Sequence, residues 1–148
     1  MTVHSAGPRR TNQGPGRVLV AAYAVFALSA TGRSAVQIAQ SYGDAPVPYT
    51  LSALAAVVYL VATVALARGG RAARRVAWGA VGTELAGVVV VGTWTVLDPA
   101  SFPDQTVWSG FGAGYGYVPL LLPVLGLGWL WWTQSGATGR HSGASKPR

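Results

Sequence analysis

The chain has 148 residues, of which 51% are hydrophobic and only 10% are charged. A soluble domain carries about 25% charged residues, so this composition argues against a soluble globular protein. The net charge of +7 does not indicate nucleic-acid binding, because the basic residues lie in two tails and one short loop rather than on a folded face. The absence of cysteine excludes disulfides, thiolate metal sites and thiol redox chemistry.

Long apolar runs separated by short charged segments predict four membrane-spanning helices. A helix needs about 20 apolar residues to cross a hydrocarbon core of about 30 Å. Runs of suitable length lie at about residues 18–40, 49–67, 76–97 and 111–133. We therefore predict an all-α fold, a four-helix transmembrane bundle within residues 17–133. Residues 1–16 and 134–148 are predicted to be disordered tails, the second of them basic.

The first run is interrupted by Arg33. The uncharged part, from Val18 to Gly32, makes only about 22 Å of helix, so we expect the helix to continue past Arg33 to about Gln40. An alternative is a cleaved signal peptide, for which Ala27-Leu28-Ser29 is an acceptable cleavage site. Because three more spans follow, we favour an uncleaved first helix.

The basic residues predict the orientation of the chain. All arginines and lysines except Arg33 fall on one side of the four-span map, and they comprise Arg9, Arg10, Arg17, Arg68, Arg71, Arg74, Arg75, Arg140, Lys146 and Arg148. The opposite loops contain Asp44, Asp98 and Asp104. The positive-inside rule then places both termini in the cytoplasm.

Two ionisable residues, Arg33 and Glu84, lie inside apolar runs. Each costs about 2.5 to 3.5 kcal/mol near the centre of a bilayer, so each needs a partner, water or a functional role. Helical periodicity places Arg33 in one stripe with Ser29, Gln37, Gln40 and Asp44. We expect this stripe to face the protein interior or a hydrated cleft.

These residues define a candidate intramembrane polar site. It consists of Arg33, Gln37, Gln40, Tyr59, Glu84 and Asp98. Glu84 or Asp98 is the expected counter-ion of Arg33. The site has two interpretations, which the sequence leaves open: a structural ion pair, or a proton- or ion-coupled path in which Glu84 titrates.

The sequence contains no recognisable catalytic, cofactor-binding or metal-binding motif. His4 and His141 are isolated in the two tails, and zinc-protease, Walker, dinucleotide-binding and serine-hydrolase motifs are absent. We therefore predict that the protein is not an enzyme and uses no cofactor.

The stretch DPASFPDQTVWSGFGAGYGYVPLLLPVLGLGWLWW, which follows an arginine-rich middle loop, resembles a group of small actinobacterial integral membrane proteins of unknown function. The resemblance covers most of residues 17–133. It implies a location in the bacterial cytoplasmic membrane and assigns no activity.

Two functional hypotheses follow. The first is a non-catalytic partner or accessory subunit in the lipid bilayer, bound to another membrane protein or to itself. The second is a small oligomeric transporter or channel that uses Arg33 and Glu84.

Overall fold

The computed structural model describes residues 14–138, with side chains as far as Ser135. Most of the two predicted tails, including His4 and His141, lies outside the described residues. Within the described range every regular element is helical. The four α-helices are α1 (Pro15–Ser41), α2 (Pro46–Arg68), α3 (Arg71–Leu97) and α4 (Val118–Thr138). Two short 3-10 helices, Pro99–Ser101 and Ser109–Tyr115, lie between α3 and α4.

Proline and glycine set several of the helix limits. Pro15 and Pro46 begin α1 and α2, where the fixed φ of proline suits the first turn and no backbone donor is lost. Gly69 and Gly70 separate α2 from α3, and both have a positive φ that glycine adopts without steric cost. Because this turn is so short, Arg74 belongs to α3 rather than to the loop that precedes it.

Three helices are long and apolar enough to cross a membrane: α1, α2 and α3. A fourth span is obtained if the 3-10 helix Ser109–Tyr115 and α4 are counted together, although the two are bent by 101°. The protein therefore has three to four candidate membrane-spanning helices among the residues that the structure describes.

The core is built largely from small and aromatic side chains. Neighbouring helices pack in chain order, α1 on α2, α2 on α3 and α3 on α4. Buried alanines let the backbones approach closely, as is common between helices in membranes. They include Ala27, Ala30, Ala55, Ala62 and Ala77. Large apolar side chains such as Leu28, Val57, Val90 and Leu121 are exposed instead, which suits a lipid environment.

The connection between α3 and α4, residues 98–117, folds back against α3. We call it the 98–117 segment. Trp108 and Phe111 of this segment lie against Gly87 and Gly92 of α3, where an added Cβ atom would come within 2.7 and 2.6 Å of the two rings. The missing side chains at these two glycines therefore provide the space that the aromatic rings fill.

The fourth helix begins later than the predicted start at residue 111. Gly110, Phe111 and Gly112 have φ values of 54°, 60° and 81°, which a right-handed helix does not tolerate. Regular helix starts at Val118 and continues to Thr138, beyond the predicted end at residue 133.

Candidate functional sites

The structure divides the predicted polar site into two clusters. Arg33 and Gln37 lie together near the end of α1, where both contact the 98–117 segment. Tyr59 and Glu84 lie together in the core, on α2 and α3, and both are fully buried. Gln40, by contrast, is exposed near the end of α1.

The predicted polar stripe of α1 does not face the core as a unit. Ser29, Gln40 and Asp44 are exposed, whereas Arg33 and Gln37 are half-buried. The buried face of α1 carries small and aromatic residues instead: Gly16, Tyr23, Ala27, Ala30 and Ser34. These residues pack closely against the neighbouring helix, so the polar stripe is rotated to the edge of the contact.

Arg33 is bound by three groups of the 98–117 segment. Nη1 donates a hydrogen bond of 2.8 Å to the hydroxyl of Tyr115, and Nη2 donates one of 2.7 Å to the carbonyl oxygen of Gln105. Nη2 also lies 3.6 Å from Oδ1 of Asp104. The guanidinium group thus ties α1 to the 98–117 segment at several points.

Asp104 joins three parts of the fold. Besides its ion pair with Arg33, its Oδ2 accepts a hydrogen bond of 3.2 Å from Nε2 of Gln37. The hydroxyl of Tyr49, at the start of α2, also interacts with this carboxylate. One carboxylate therefore connects α1, α2 and the 98–117 segment.

The prediction that Glu84 or Asp98 is the counter-ion of Arg33 was wrong. Asp104 takes the place that we assigned to Glu84 or Asp98. Asp98 is held by its own turn, where the Ser101 hydroxyl donates to Oδ2 at 2.5 Å. This hydrogen bond lowers the pKa of Asp98 from its ordinary value. No local feature of the chain indicates that the 98–117 segment folds back far enough to bring Asp104 to α1.

Glu84 is the centre of the second cluster. It lies midway along α3, about 20 Å from either end, and none of its side chain is exposed. The hydroxyl groups of Tyr23 and Tyr59 interact with its carboxyl group from α1 and α2. Trp108, from the 98–117 segment, interacts in turn with Tyr59.

The polar atoms of this Glu84 cluster are close together but poorly hydrogen-bonded. Both carboxyl oxygens of Glu84, the hydroxyls of Tyr23 and Tyr59, and Nε1 of Trp108 are buried without a hydrogen bond of good geometry. Most buried polar groups in proteins are paired, and an unpaired one is costly. A buried cluster of this kind points to a bound species or to a functional constraint.

The sequence predicted only part of the Glu84 cluster. Tyr59 and Glu84 were both included in the predicted site, and Tyr59 lies on a buried face of α2 together with Ser52 and Ala56. Tyr23 and Trp108 were missed, because an isolated tyrosine in an apolar run and a tryptophan near a predicted membrane boundary have ordinary structural explanations. In the described part of the chain, no three His, Cys, Asp or Glu side chains are grouped to hold a metal ion.

No family model, curated protein or solved structure matches this chain. The two clusters and the distribution of apolar and charged residues are therefore the features of the chain that bear on its function.

Proposed function

We propose that the protein is a multi-pass protein of the bacterial cytoplasmic membrane, a four-helix bundle with both termini in the cytoplasm. In that membrane it acts as a non-catalytic partner or accessory subunit, associated with another membrane protein or with its own copies. The lengths of the apolar helices support membrane insertion. The predicted resemblance to small actinobacterial membrane proteins agrees with this proposal.

The charge distribution supports the orientation. Arg68, Arg71 and Arg75 are exposed around the α2–α3 turn. Asp98 and Asp104 belong to the 98–117 segment at the other end of α3. Because arginine is retained on the cytoplasmic side during insertion, the 98–117 segment is the external face of the protein.

The binding of Arg33 is the observation that carries the non-catalytic role. Its guanidinium group contacts Tyr115, Gln105 and Asp104, so it holds the external segment against α1. An arginine that makes these contacts has a structural role, because its guanidinium group is already bound within the protein and is not free to bind a substrate. The protein then presents a fixed external surface and apolar helix faces to its partner.

Reporter fusions test the topology. Fusions after Arg75 and after Arg140 are expected to report a cytoplasmic location, and a fusion at Asp104 an external one. A cytoplasmic signal at Asp104 would contradict the four-span arrangement.

Site-specific photo-crosslinking in native membranes tests the partner role. A crosslinker at Val90, which is exposed on α3, is expected to yield one protein adduct of defined mass. The matched control is Val88 on the same helix, which is fully buried and should yield none. If exposed positions on α1, α2 and α3 all give lipid adducts alone, the accessory role is wrong.

A second candidate function is a small oligomeric transporter or channel. The buried and unpaired carboxyl group of Glu84, halfway along α3, favours this candidate. Arg33 would then act through the external segment rather than in the path itself. A proton or cation flux into liposomes that contain the wild type, and not into those that contain Glu84→Gln, would favour transport over the accessory role.

A further inference from the structure

We propose that Glu84, Tyr23 and Tyr59 form a proton-binding site at the centre of the helical core, with Trp108 closing its approach from the 98–117 segment. This inference goes beyond the accessory role, and it holds whether or not the protein transports anything. It rests on the positions of the four side chains, which come from α1, α2, α3 and the connection to α4.

The surroundings of Glu84 suit a neutral carboxylic acid. An ionised carboxylate needs several good hydrogen bonds or a cation, since it loses its hydration on burial. Arg33 binds Asp104 instead of Glu84. A protonated carboxyl group carries no charge, and it can donate to one phenol oxygen while it accepts from the other.

Three elements packed around Glu84 each contribute a neutral polar side chain. α1 and α2 supply Tyr23 and Tyr59, and the 98–117 segment supplies the indole of Trp108. On the α4 side, Gly126 leaves room for Tyr23, because a Cβ atom there would lie 3.2 Å from the tyrosine hydroxyl. A proton is the ligand that fits, since it needs no cavity and no further oxygen ligands.

Trp108 separates this site from the far end of α3. It packs on Gly87, one turn beyond Glu84, and is 1% exposed. Thr106 and Ser109 hold the turn in which Trp108 lies, with the Thr106 hydroxyl accepting from the backbone of both residues 108 and 109. Arg33 and Asp104 fasten the same segment to α1. The indole ring therefore covers the site on this side.

Infrared spectroscopy can observe the proposed proton directly. Glu84 is the single glutamate of the chain, so cell-free synthesis with glutamate labelled with heavy carbon at its side-chain carboxyl marks one acidic group. In the purified full-length protein at neutral pH, we expect an isotope-sensitive C=O band of a protonated carboxylic acid. If the label shifts carboxylate bands and no such C=O band, the proton-binding site is refuted, without the need for any substitution.

Conservative variants test the tyrosines. Tyr23→Phe and Tyr59→Phe should each shift the C=O frequency of the labelled group, because each removes a hydroxyl that interacts with the carboxyl group. Tyr42→Phe is the matched control, since Tyr42 is exposed on α1's C-terminal side and should leave the band unchanged. If the frequency of the C=O band is unchanged in both core variants, the two tyrosines are not part of the site.

Deuterium exchange tests the role of Trp108. Transfer into heavy water should shift the C=O band of Glu84 faster in Trp108→Phe than in the wild type, because the smaller ring closes the site less well. Trp131→Phe is the control, since Trp131 is exposed on α4. Equal exchange rates in the wild type and Trp108→Phe would refute the closing role.

Discussion

The indole ring of Trp108 fills the position in which a side chain at residue 87 would begin. A Cβ atom at Gly87 would lie 2.7 Å from Cζ3 and 2.8 Å from Cη2 of this ring. The contact fixes the 98–117 segment on α3 and places the indole beside the Glu84 cluster. A single methyl group at residue 87 therefore disturbs both the fold of the segment and the buried polar site.

Gly87→Ala is expected to lower the free energy of unfolding by about 1–3 kcal/mol, because the added methyl group overpacks the contact with Trp108. The measurement is denaturant- or heat-induced unfolding in detergent. Gly79→Ala and Gly82→Ala are matched controls on the same helix, since a Cβ atom at either position meets nothing within 4 Å. Alanine should be neutral or stabilising there, by up to about 1 kcal/mol. Equal effects at all three positions would contradict the packing argument.

The helices themselves could be predicted from the sequence because the signal is local. Apolar runs of sufficient length predicted spans at about residues 49–67 and 76–97, and the helices α2 and α3 contain these ranges. Arg33 was expected to lie within a continued first helix, and α1 indeed runs through it to Ser41. Run length and charge are properties of neighbouring residues, so no knowledge of packing was needed.

The 98–117 segment could not be predicted because tertiary contacts determine its shape. Phe111 adopts a positive φ of 60°, which its own conformational preference disfavours. Its ring packs at Gly92, and this contact compensates for the unfavourable backbone. The partners of Arg33 depend on this fold-back, so the counter-ion was missed together with the segment.

Tyr117 offers a test of backbone strain that compares two substitutions at one position. Its φ is 61°, in the left-handed region, and its side chain is exposed. Tyr117→Gly should be more stable than Tyr117→Ala by about 1 kcal/mol, because only glycine avoids the clash of Cβ in this conformation. At Val90, inside α3, the order should be reversed, since alanine is the better helix former. The test compares the melting temperatures of the four variants. If glycine and alanine rank in the same order at both positions, strain at Tyr117 is excluded as the cause.

Asp98 and Ser101 predict a specific pH dependence. The hydrogen bond from Ser101 lowers the pKa of Asp98, so the folded state favours its carboxylate form. The resulting stabilisation is present above the pKa of the unfolded chain and is lost as the pH falls through the lowered folded value. Ser101→Ala should raise the pKa of Asp98 in an NMR titration. The difference in melting temperature between wild type and variant should be largest near neutral pH and should vanish at acidic pH. A difference that is constant with pH would exclude the titration of Asp98 as its cause.

The pairing of Arg33 with Asp104 is tested by a double-mutant cycle with Arg33→Ala and Asp104→Asn. The two side chains are 34% and 41% exposed, so solvent screens their attraction and the coupling energy should be only about 0.5–1 kcal/mol. Arg33→Ala alone should cost more than this, because it also removes the hydrogen bonds to Tyr115 and Gln105. Hydrogen bonds that involve a charged group contribute about 1.5–3 kcal/mol each.

Two further cycles serve as controls for this pairing. Arg33→Ala combined with Asp98→Asn, or with Glu84→Gln, should show additive effects within about 0.5 kcal/mol, because neither acid is the ion-pair partner of Arg33. Arg71→Ala should change stability less than Arg33→Ala, since Arg71 is exposed at the start of α3. High salt should weaken the coupling to Asp104 while leaving the hydrogen bond to Tyr115 largely intact. Coupling to Glu84 that equals the coupling to Asp104 would mean that Arg33 reaches into the core, and the separation of the two polar clusters would then be wrong.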